Sequence, residues 1–329
     1  MIRVGILGCA SIARRSLAPA LLKHKEFQLV AVASRSADKA QSFISSLEPT
    51  LCEPKGVRAC TYGELIISGD VDLIYCPLPT GMHYEWVGRS LKAGKHVLCE
   101  KSLATNFKEV EHLVDIAREN KRFLMESFQF RFHAQNLYAK ELLARDAIGP
   151  LRQVVVRFGI PPFPEGASNI RYSAELGGGA LLDNGAYVVK CATYLLGRDI
   201  DVLAAMSGGH NPSLGNVDLT GSIMMRAGDV AIQASYGFDH FYQNGYEIWG
   251  KDGKISTVRA FTAREDFAAP VILETKTGRN VKEFHDDHFS RLLDYVHEEI
   301  NSAAFEMEYE ECLNQARILE LVGKAGGIR

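Results

Sequence analysis

The sequence lacks three features that would set the protein apart from ordinary globular chains. No apolar stretch reaches the roughly 20 residues that cross a bilayer. The N-terminal MIRVGILG enters a strand without the layout of a secretory signal. Charge of neither sign is in excess, with 37 Lys and Arg against 40 Asp and Glu. We therefore expect neither nucleic acid nor a membrane as a partner.

Paired cysteines are also missing. The seven cysteines, an odd number, are scattered without a C-x-x-C pair, which indicates reduced thiols in a cytoplasmic protein rather than a disulfide framework. The one cluster of histidines and acids, EFHDDH (283–288), precedes a predicted helix and is typical of a charged helix start. We therefore predict that the protein holds no metal.

The 329 residues are enough for two domains. Up to about residue 127, short apolar strands alternate with helical patterns, which predicts a doubly wound parallel sheet of Rossmann type. From about residue 130, longer strands with polar turns such as AGD and KDGK predict a large, open, mainly antiparallel sheet, closed by helices near 286–301 and 308–325. The prediction is an α/β protein with domains at 1–127 and 128–329.

A candidate phosphate-binding turn, GCASIA, follows the first strand. The dinucleotide fingerprint G-x-G-x-x-G/A is met by Gly8 and Ala13, with Ala10 in place of the second glycine. An ordinary strand–helix turn could have the same residues, but the position after the first strand of an alternating unit favours a pyrophosphate site. The predicted contacts are Gly8, Cys9, Ala10, Ser11, Ile12 and Ala13.

The end of the second predicted strand indicates which dinucleotide binds. Enzymes specific for NAD have an acid there, whereas this chain has Ser34, Arg35 and Ser36. An arginine between hydroxyls suits a 2′-phosphate by charge and geometry. We predict NADP(H), with NAD(H) as an alternative because Arg35 could be a surface residue and Asp38 is close.

Two more strand ends should lie at the same edge of the sheet, where ligands bind in this fold. The fourth strand leads into CPLPTGMH and the fifth into Glu100 and Lys101. A solvated lysine at a strand end is the alternative. The residues predicted to contact the cofactor here are Cys76, Pro77, Leu78, Pro79, His83, Glu100 and Lys101.

A glycine-rich segment, GGGALLDNGAYVVK (177–190), holds the main candidates of the second domain. The glycines allow backbone to approach a ligand closely. Asp183 and Tyr187 are four residues apart and share one face of a helix, with Lys190 near the same stripe. A glycine loop followed by a core helix with a buried tyrosine is the alternative.

Together, VGILGCASIA, AGKHVLCEKSLAT and GGGALLDNGAY resemble the glucose–fructose oxidoreductase / inositol dehydrogenase (Gfo/Idh/MocA) family over essentially the whole chain. The resemblance implies a substrate cleft between the domains, with Lys101, Asp183 and Tyr187 around the substrate carbonyl or carbinol. It also implies a homodimer or homotetramer formed through the C-terminal sheet. The family's Glu-Lys-Pro is Glu-Lys-Ser here, so Ser102 must make the bend that proline usually supplies.

Within the family, IYCPLPTGMHYEW, LMESFQFRFHAQ and FDHFYQNGYEIWG resemble the NADPH-dependent 3-ketoreductases of dTDP-linked 3-keto-6-deoxyhexoses, enzymes of deoxysugar biosynthesis. The resemblance thus implies a sugar ketoreductase with a nucleotide-linked keto sugar as substrate. A dehydrogenase of a free sugar, cyclitol or trans-dihydrodiol is the first alternative. A non-catalytic NADP(H) sensor is the second alternative, and such a protein would not need Lys101, Asp183 and Tyr187.

Ketone reduction requires a hydride from NADPH and a proton for the oxygen. Tyr187 is protonated at neutral pH, and a nearby Lys101 ammonium would ease its ionisation. We assign Tyr187 as the acid and Lys101 as its electrostatic partner, with Lys101 as the alternative donor. Asp183 could bond a sugar hydroxyl or hold Lys101. The further predicted substrate contacts, each of which could instead be structural, are Arg131, His133, Arg171, Tyr172, His240 and Tyr242.

Overall fold

The computed structural model describes residues 1–47, 56–164, 169–209 and 215–328; Cys52 lies outside these ranges. The chain forms two compact units, neither of them continuous in sequence. The first consists of Met1–Ser127 and Phe289–Leu313, and the second of Phe128–His288 and Asn314–Arg329. In the described part of the chain no helix is both long and apolar enough to span a bilayer.

Within its described residues, the first unit has a parallel sheet of six strands in the order β3-β2-β1-β4-β5-β6. This is the Rossmann order, and it confirms the predicted doubly wound sheet. The strands are β1 (Ile2–Leu7), β2 (Phe27–Ser34), β3 (Arg58–Thr61), β4 (Leu73–Cys76), β5 (His96–Glu100) and β6 (Leu124–Ser127).

Helices join these strands and bury the sheet on both faces, which is why β4 and β6 are buried at every position. Ser36 caps α2, since its side chain accepts a hydrogen bond from the Lys39 N–H at 3.4 Å. The helices are a π-helical turn (Ala13–Leu17) continued by α1 (Ala18–Lys23), α2 (Ala37–Ser45), α3 (Tyr62–Ile67), α4 (Thr80–Lys92) and α5 (Phe107–Asn120).

The second unit is built on a sheet whose eight described strands run in the order β14-β13-β12-β11-β7-β10-β9-β8. Only the β7–β10 pair among them is parallel, so the prediction of a mainly antiparallel sheet is confirmed. The strands are β7 (Leu151–Gly159), β8 (Asp201–Gly208), β9 (Thr220–Ala227), β10 (Val230–Gly237), β11 (Gln243–Gly250), β12 (Gly253–Thr257), β13 (Ala269–Thr275) and β14 (Gly278–Phe284).

One face of this sheet is covered and the other is open. Along β9, buried and exposed side chains alternate, so that Ile223 and Met225 enter the core while Met224 is exposed. Met206 on β8 and Trp249 on β11 lie on the same open face. The helices after residue 128 are α6 (Ala134–Ala144), a π-helical turn (Leu181–Gly185) continued by α7 (Ala186–Leu196), α8 (His288–Ser302) and α9 (Glu306–Ala325). Of these, α8 from Phe289 onward and α9 up to Leu313 belong to the first unit.

Candidate active site

The turn after β1 has the geometry that a phosphate-binding turn requires. Gly8 has a φ of +130°, which strains any other residue, and an ideal Cβ on it would lie 2.9 Å from Cδ2 of Leu78, which would have to shift. Ala13 is fully buried where the following helical segment begins. Such a helix start offers backbone N–H groups to a pyrophosphate. The local structure therefore fits a dinucleotide, with Ala10 in place of the second glycine.

Cys9, in the same turn, is held as a thiol. Its Sγ lies 4.0 Å from the Ala33 carbonyl oxygen and 3.8 Å from that of Lys39, and burial raises its pKa. Free thiols are also found at Cys60, Cys76, Cys99 and Cys191, in agreement with the reduced cysteines that we predicted.

The carboxyl end of β2 presents Arg35 to solvent. Ser34 is buried, and the Ser36 side chain is used as the cap of α2. Arg35 is exposed beside this helix start. The arrangement leaves the guanidinium as the cation that could meet a 2′-phosphate.

The ends of β4 and β5 lie side by side, because Cys76 pairs with Cys99 in the parallel register. Glu100 is buried and its Oε1 accepts a hydrogen bond of 2.7 Å from the Tyr75 hydroxyl. Burial, and then the charge of Glu100, raise the pKa of Tyr75 well above its ordinary value. Tyr75 is therefore a protonated donor that fixes the Glu100 carboxylate.

Lys101 follows directly and is half-buried, and its peptide bond to Ser102 is cis. His83, predicted to contact the cofactor, is fully buried: its Nδ1 lies 2.8 Å from the Ser102 carbonyl oxygen and its Nε2 lies 2.7 Å from that of Leu78. A hydrogen bond from its ring to a cofactor would require breaking one of these contacts.

Cys76, His83 and Cys99 offer ligand atoms that all lie within 4.8 Å of one another. A metal ion would, however, have to displace a backbone carbonyl from a His83 nitrogen. Burial, followed by the neighbouring Cys76, raises the pKa of the Cys99 thiol well above its ordinary value, which disfavours the thiolate that metals bind. Absence of a metal stays a prediction.

In the second unit, the glycine run brings Arg171 next to the segment that carries Asp183. An ideal Cβ on Gly178 would lie 2.4 Å from the Arg171 carbonyl oxygen, so only glycine permits this approach. Nε of Arg171 then donates a 2.5 Å hydrogen bond to Oδ2 of Asp183, and its guanidinium lies over the Phe163 ring at 4.8 Å. This ion pair was not predicted, since Asp183 had been expected to bond a sugar hydroxyl or Lys101.

Tyr187 lies in a cluster of aromatic rings. The rings of Phe128 and Phe158 stand edge-on to it, with centroids 5.5 and 5.2 Å away. The side chain is 5% exposed, and its hydroxyl accepts a 3.3 Å hydrogen bond from Nε2 of the buried Gln129. Gln129 was not among the predicted site residues. The feature of the sequence that could have indicated it is a single amide side chain between two phenylalanines in SFQFRF. Lys190, one turn further along α7, is also buried, with its Nζ 5.7 Å from the Phe128 ring.

Tyr172 and His240 lie near the same strand ends. The buried Tyr172 ring packs edge-on against Phe238, just after β10. An ideal Cβ on Gly237 would lie 2.3 Å from Cε1 of His240, so this ring packs on the end of β10. Asn184, not predicted, donates to the Gly237 carbonyl at 3.0 Å and thereby holds the π-helical turn at this point.

The other predicted substrate contacts have structural contacts of their own. His133 is buried at the start of α6, where its Nδ1 accepts a 3.1 Å hydrogen bond from the Gln135 N–H. The Arg131 carbonyl accepts a bond from the Tyr194 hydroxyl at 3.3 Å. The Tyr242 hydroxyl lies 3.2 Å from Oγ1 of Thr262. Their roles toward a substrate stay predictions.

Comparison with known proteins gives concordant matches over both units. Residues 2–128 match a model described as an oxidoreductase family with an NAD-binding Rossmann fold, and residues 136–256 match the GFO/IDH/MocA C-terminal domain. The chain is 41% identical over 276 residues to a dTDP-3,4-didehydro-2,6-dideoxy-α-D-glucose 3-reductase of Saccharopolyspora spinosa, covering 84% of this chain and 80% of the relative.

A 3-reductase with the same name from Actinomadura kijaniata is 34% identical over 98% of this chain and 94% of its own. The crystal structure of a 3-ketoreductase from that organism, in complex with NADP and TDP-benzene, superposes with a TM-score of 0.89 at 33% identity, covering 98% of this chain and 97% of that one. The same enzyme has been solved with one lysine replaced by alanine or glutamate, and with one tyrosine replaced by phenylalanine.

Proposed function

This chain belongs to the Gfo/Idh/MocA oxidoreductase family, and we propose that it is an NADPH-dependent sugar ketoreductase. Its substrate in this proposal is a dTDP-linked 3-keto-6-deoxyhexose, reduced at C3 in deoxysugar biosynthesis. The observation that carries the proposal is identity of 41% and 34% with 3-reductases of a dTDP-linked keto sugar, over 84% and 98% of this chain. The structural relative that binds NADP and TDP-benzene supports the cofactor and the nucleotide.

The reduction adds a hydride to C3 and a proton to its oxygen, so the ketone becomes a secondary alcohol. Bound NADPH supplies the hydride. Tyr187 gives its phenolic proton to the carbonyl oxygen and is left as a phenolate. The hydrogen bond from Gln129 stabilises this anion, because a donor favours the charged form of its acceptor. The Lys101 ammonium stabilises the negative charge that develops on the oxygen and on Tyr187.

Arg171 and Asp183 act on the sugar nucleotide. The ion pair with Asp183 holds the guanidinium, which is 40% exposed, while the Asp183 side chain is 16% exposed. We propose that Arg171 binds the diphosphate, since a guanidinium matches phosphate oxygens in charge and geometry. Asp183 bonds a sugar hydroxyl and keeps Arg171 in place.

Arg35 gives a test of the cofactor. We expect Arg35→Ala to weaken NADPH binding about 10- to 100-fold, because one charge-assisted contact to the 2′-phosphate contributes about 1.5–3 kcal/mol. Binding of NADH, which has no 2′-phosphate, should change less than about threefold. Both dissociation constants are measured by quenching of intrinsic fluorescence.

Arg152→Ala, at an exposed arginine of β7, is the control and should bind both cofactors as the parent does. Equal loss of NADPH and NADH affinity in Arg35→Ala would contradict a 2′-phosphate contact.

We propose a homodimer or homotetramer formed through the open face of the second sheet. Met206, Met224 and Trp249 are 69%, 45% and 39% exposed on this face, and apolar surface of this kind favours burial against a second copy. Light scattering of the purified protein should give about two or four times the chain mass of 36.3 kDa; the mass of one chain would contradict the proposal. The free thiols support the cytoplasm as the compartment.

The substrate class is tested by thermal melting with NADP⁺ present and dTDP, UDP, GDP, free hexoses or inositol added in turn. A ligand that binds the native state raises the melting temperature, and we expect dTDP to do so most. NADPH oxidation with the dTDP-linked 3-keto sugar should then be observed at 340 nm. A response to a free sugar or cyclitol alone would indicate a small-polyol dehydrogenase. Cofactor binding with no response to any of these would indicate a sensor.

A further inference from the structure

Two buried side chains hold the backbone that follows Lys101. His83, on α4, has its Nδ1 2.8 Å from the Ser102 carbonyl oxygen. Glu126, on β6, accepts a 3.0 Å hydrogen bond from the Leu103 N–H through its Oε1. His83 is 0% and Glu126 is 5% exposed. Successive backbone groups after the lysine thus contact side chains from two different elements, and the Leu103 N–H is hydrogen-bonded to one of them.

Burying the polar side chains of His83 and Glu126 costs free energy, which their contacts must offset. A buried carboxylate loses several kcal/mol of hydration, which hydrogen bonds only partly restore. Ser102 and Leu103 are themselves 2% exposed, so apolar side chains in the same space would leave the Leu103 N–H without an acceptor. A polar pair, unlike an apolar one, fixes the position and direction of individual backbone groups, because hydrogen bonds are directional.

His83 also reaches a second loop. Its Nε2 lies 2.7 Å from the Leu78 carbonyl oxygen, in the loop after β4. The Leu78 side chain in turn packs on Gly8, where an ideal Cβ would be 2.9 Å from its Cδ2. Burial lowers the pKa of His83 and so favours the neutral ring, which has one N–H; the imidazole donates to one of these two carbonyl oxygens and packs against the other.

We propose that His83 and Glu126 are positioning residues that fix the segment after Lys101 and thereby the direction of its ammonium group. This proposal rests on the function proposed for Lys101. It replaces the direct cofactor contact predicted for His83, since both ring nitrogens face backbone oxygens of the protein. The pair contributes to turnover without touching substrate or cofactor.

Two substitutions of similar size at Glu126 distinguish the effect of its hydrogen bond from the effect of the volume of its side chain. Glu126→Gln keeps an oxygen that can accept from the Leu103 N–H, whereas Glu126→Met removes the acceptor. We expect Glu126→Met to lower kcat about tenfold, because small displacements of a catalytic group are costly. The KM for NADPH should change less than about twofold, and Glu126→Gln should restore kcat to within about threefold of the parent.

Hydrogen–deuterium exchange gives a readout that does not depend on turnover. The Leu103 amide should exchange at least about tenfold faster in Glu126→Met than in Glu126→Gln, since it has lost its acceptor. Glu109→Met is the matched control: Glu109 accepts a 3.1 Å bond from the Thr105 N–H in the same loop, away from Lys101, and its removal should leave kcat unchanged. If Glu126→Met does not fold, His83→Phe, which keeps a ring, takes its place.

Faster exchange at Leu103 with an unchanged kcat would overturn the proposal, since the hydrogen bond would then be structural only. Equal loss of kcat in Glu126→Gln and Glu126→Met, or loss in Glu109→Met, would overturn it as well. Failure of the proposed function is recognised separately, because the parent protein would then not oxidise NADPH with the keto sugar at all.

Discussion

Lys101→Ala is expected to lower kcat for the keto sugar about 10³-fold, the range found when a group that stabilises a developing oxyanion is removed. The lysine follows β5 at the carboxyl edge of the parallel sheet, and the segment after it contacts the buried side chains of His83 and Glu126. Alanine removes the cation but leaves these backbone contacts. NADPH affinity should therefore fall by less than about threefold, so that the loss is in kcat.

The measurement is NADPH oxidation under single-turnover conditions, with cofactor affinity determined separately. Lys101→Arg keeps the positive charge and should recover part of the rate, although a guanidinium has a different shape. Lys92→Ala, at an exposed lysine near the end of α4, should retain full activity. A kcat for Lys101→Ala within about tenfold of the parent would remove Lys101 from the mechanism.

Tyr187→Phe is expected to lower kcat about 10²-fold, as loss of a general acid typically does. The substitution removes one oxygen and keeps the ring contacts with Phe128 and Phe158. It also leaves the buried Gln129 amide without its acceptor, which costs about 1–3 kcal/mol of stability. The melting temperature and the kcat should therefore both be measured.

Tyr194→Phe is a matched control because Tyr194 lies on the same helix, packs on Phe130 and bonds a backbone carbonyl through its hydroxyl. Its kcat should stay within about twofold of the parent, even where its stability falls. Near-normal turnover in Tyr187→Phe would assign the proton to Lys101, with Tyr187 as a part of the aromatic cluster alone.

The first unit could be predicted from the sequence because each of its signals is local. A parallel strand covered on both faces is a short apolar run, as in Leu73–Cys76. The glycine at the end of β1 is required by a φ that other residues rarely adopt. The second sheet was only partly predicted, since β14 is exposed along nearly its whole length and has no apolar alternation.

The site contacts could not be predicted in the same way, because they join residues that are distant in the chain. Arg171 reaches Asp183 only after the glycine run has turned the backbone, and the π-helical turn Leu181–Gly185 has no apolar period of its own. Glu126 in LMES looks like an ordinary strand-end acid. Its burial against Leu103 depends on the neighbouring strand and on the loop that follows it.

The discontinuity of the first unit has a consequence for the order of events on the ribosome. Phe305 packs on Phe123 with ring centroids 5.9 Å apart, and the Tyr309 hydroxyl donates a 2.6 Å bond to the Arg122 carbonyl. The two pairs are 182 and 187 residues apart in the chain, a length that takes roughly 10–40 s to synthesise at common elongation rates. During that time the Rossmann sheet lacks the contacts that Phe305 and Tyr309 make with Phe123 and Arg122, and it gains them only when α8 and α9 have been synthesised.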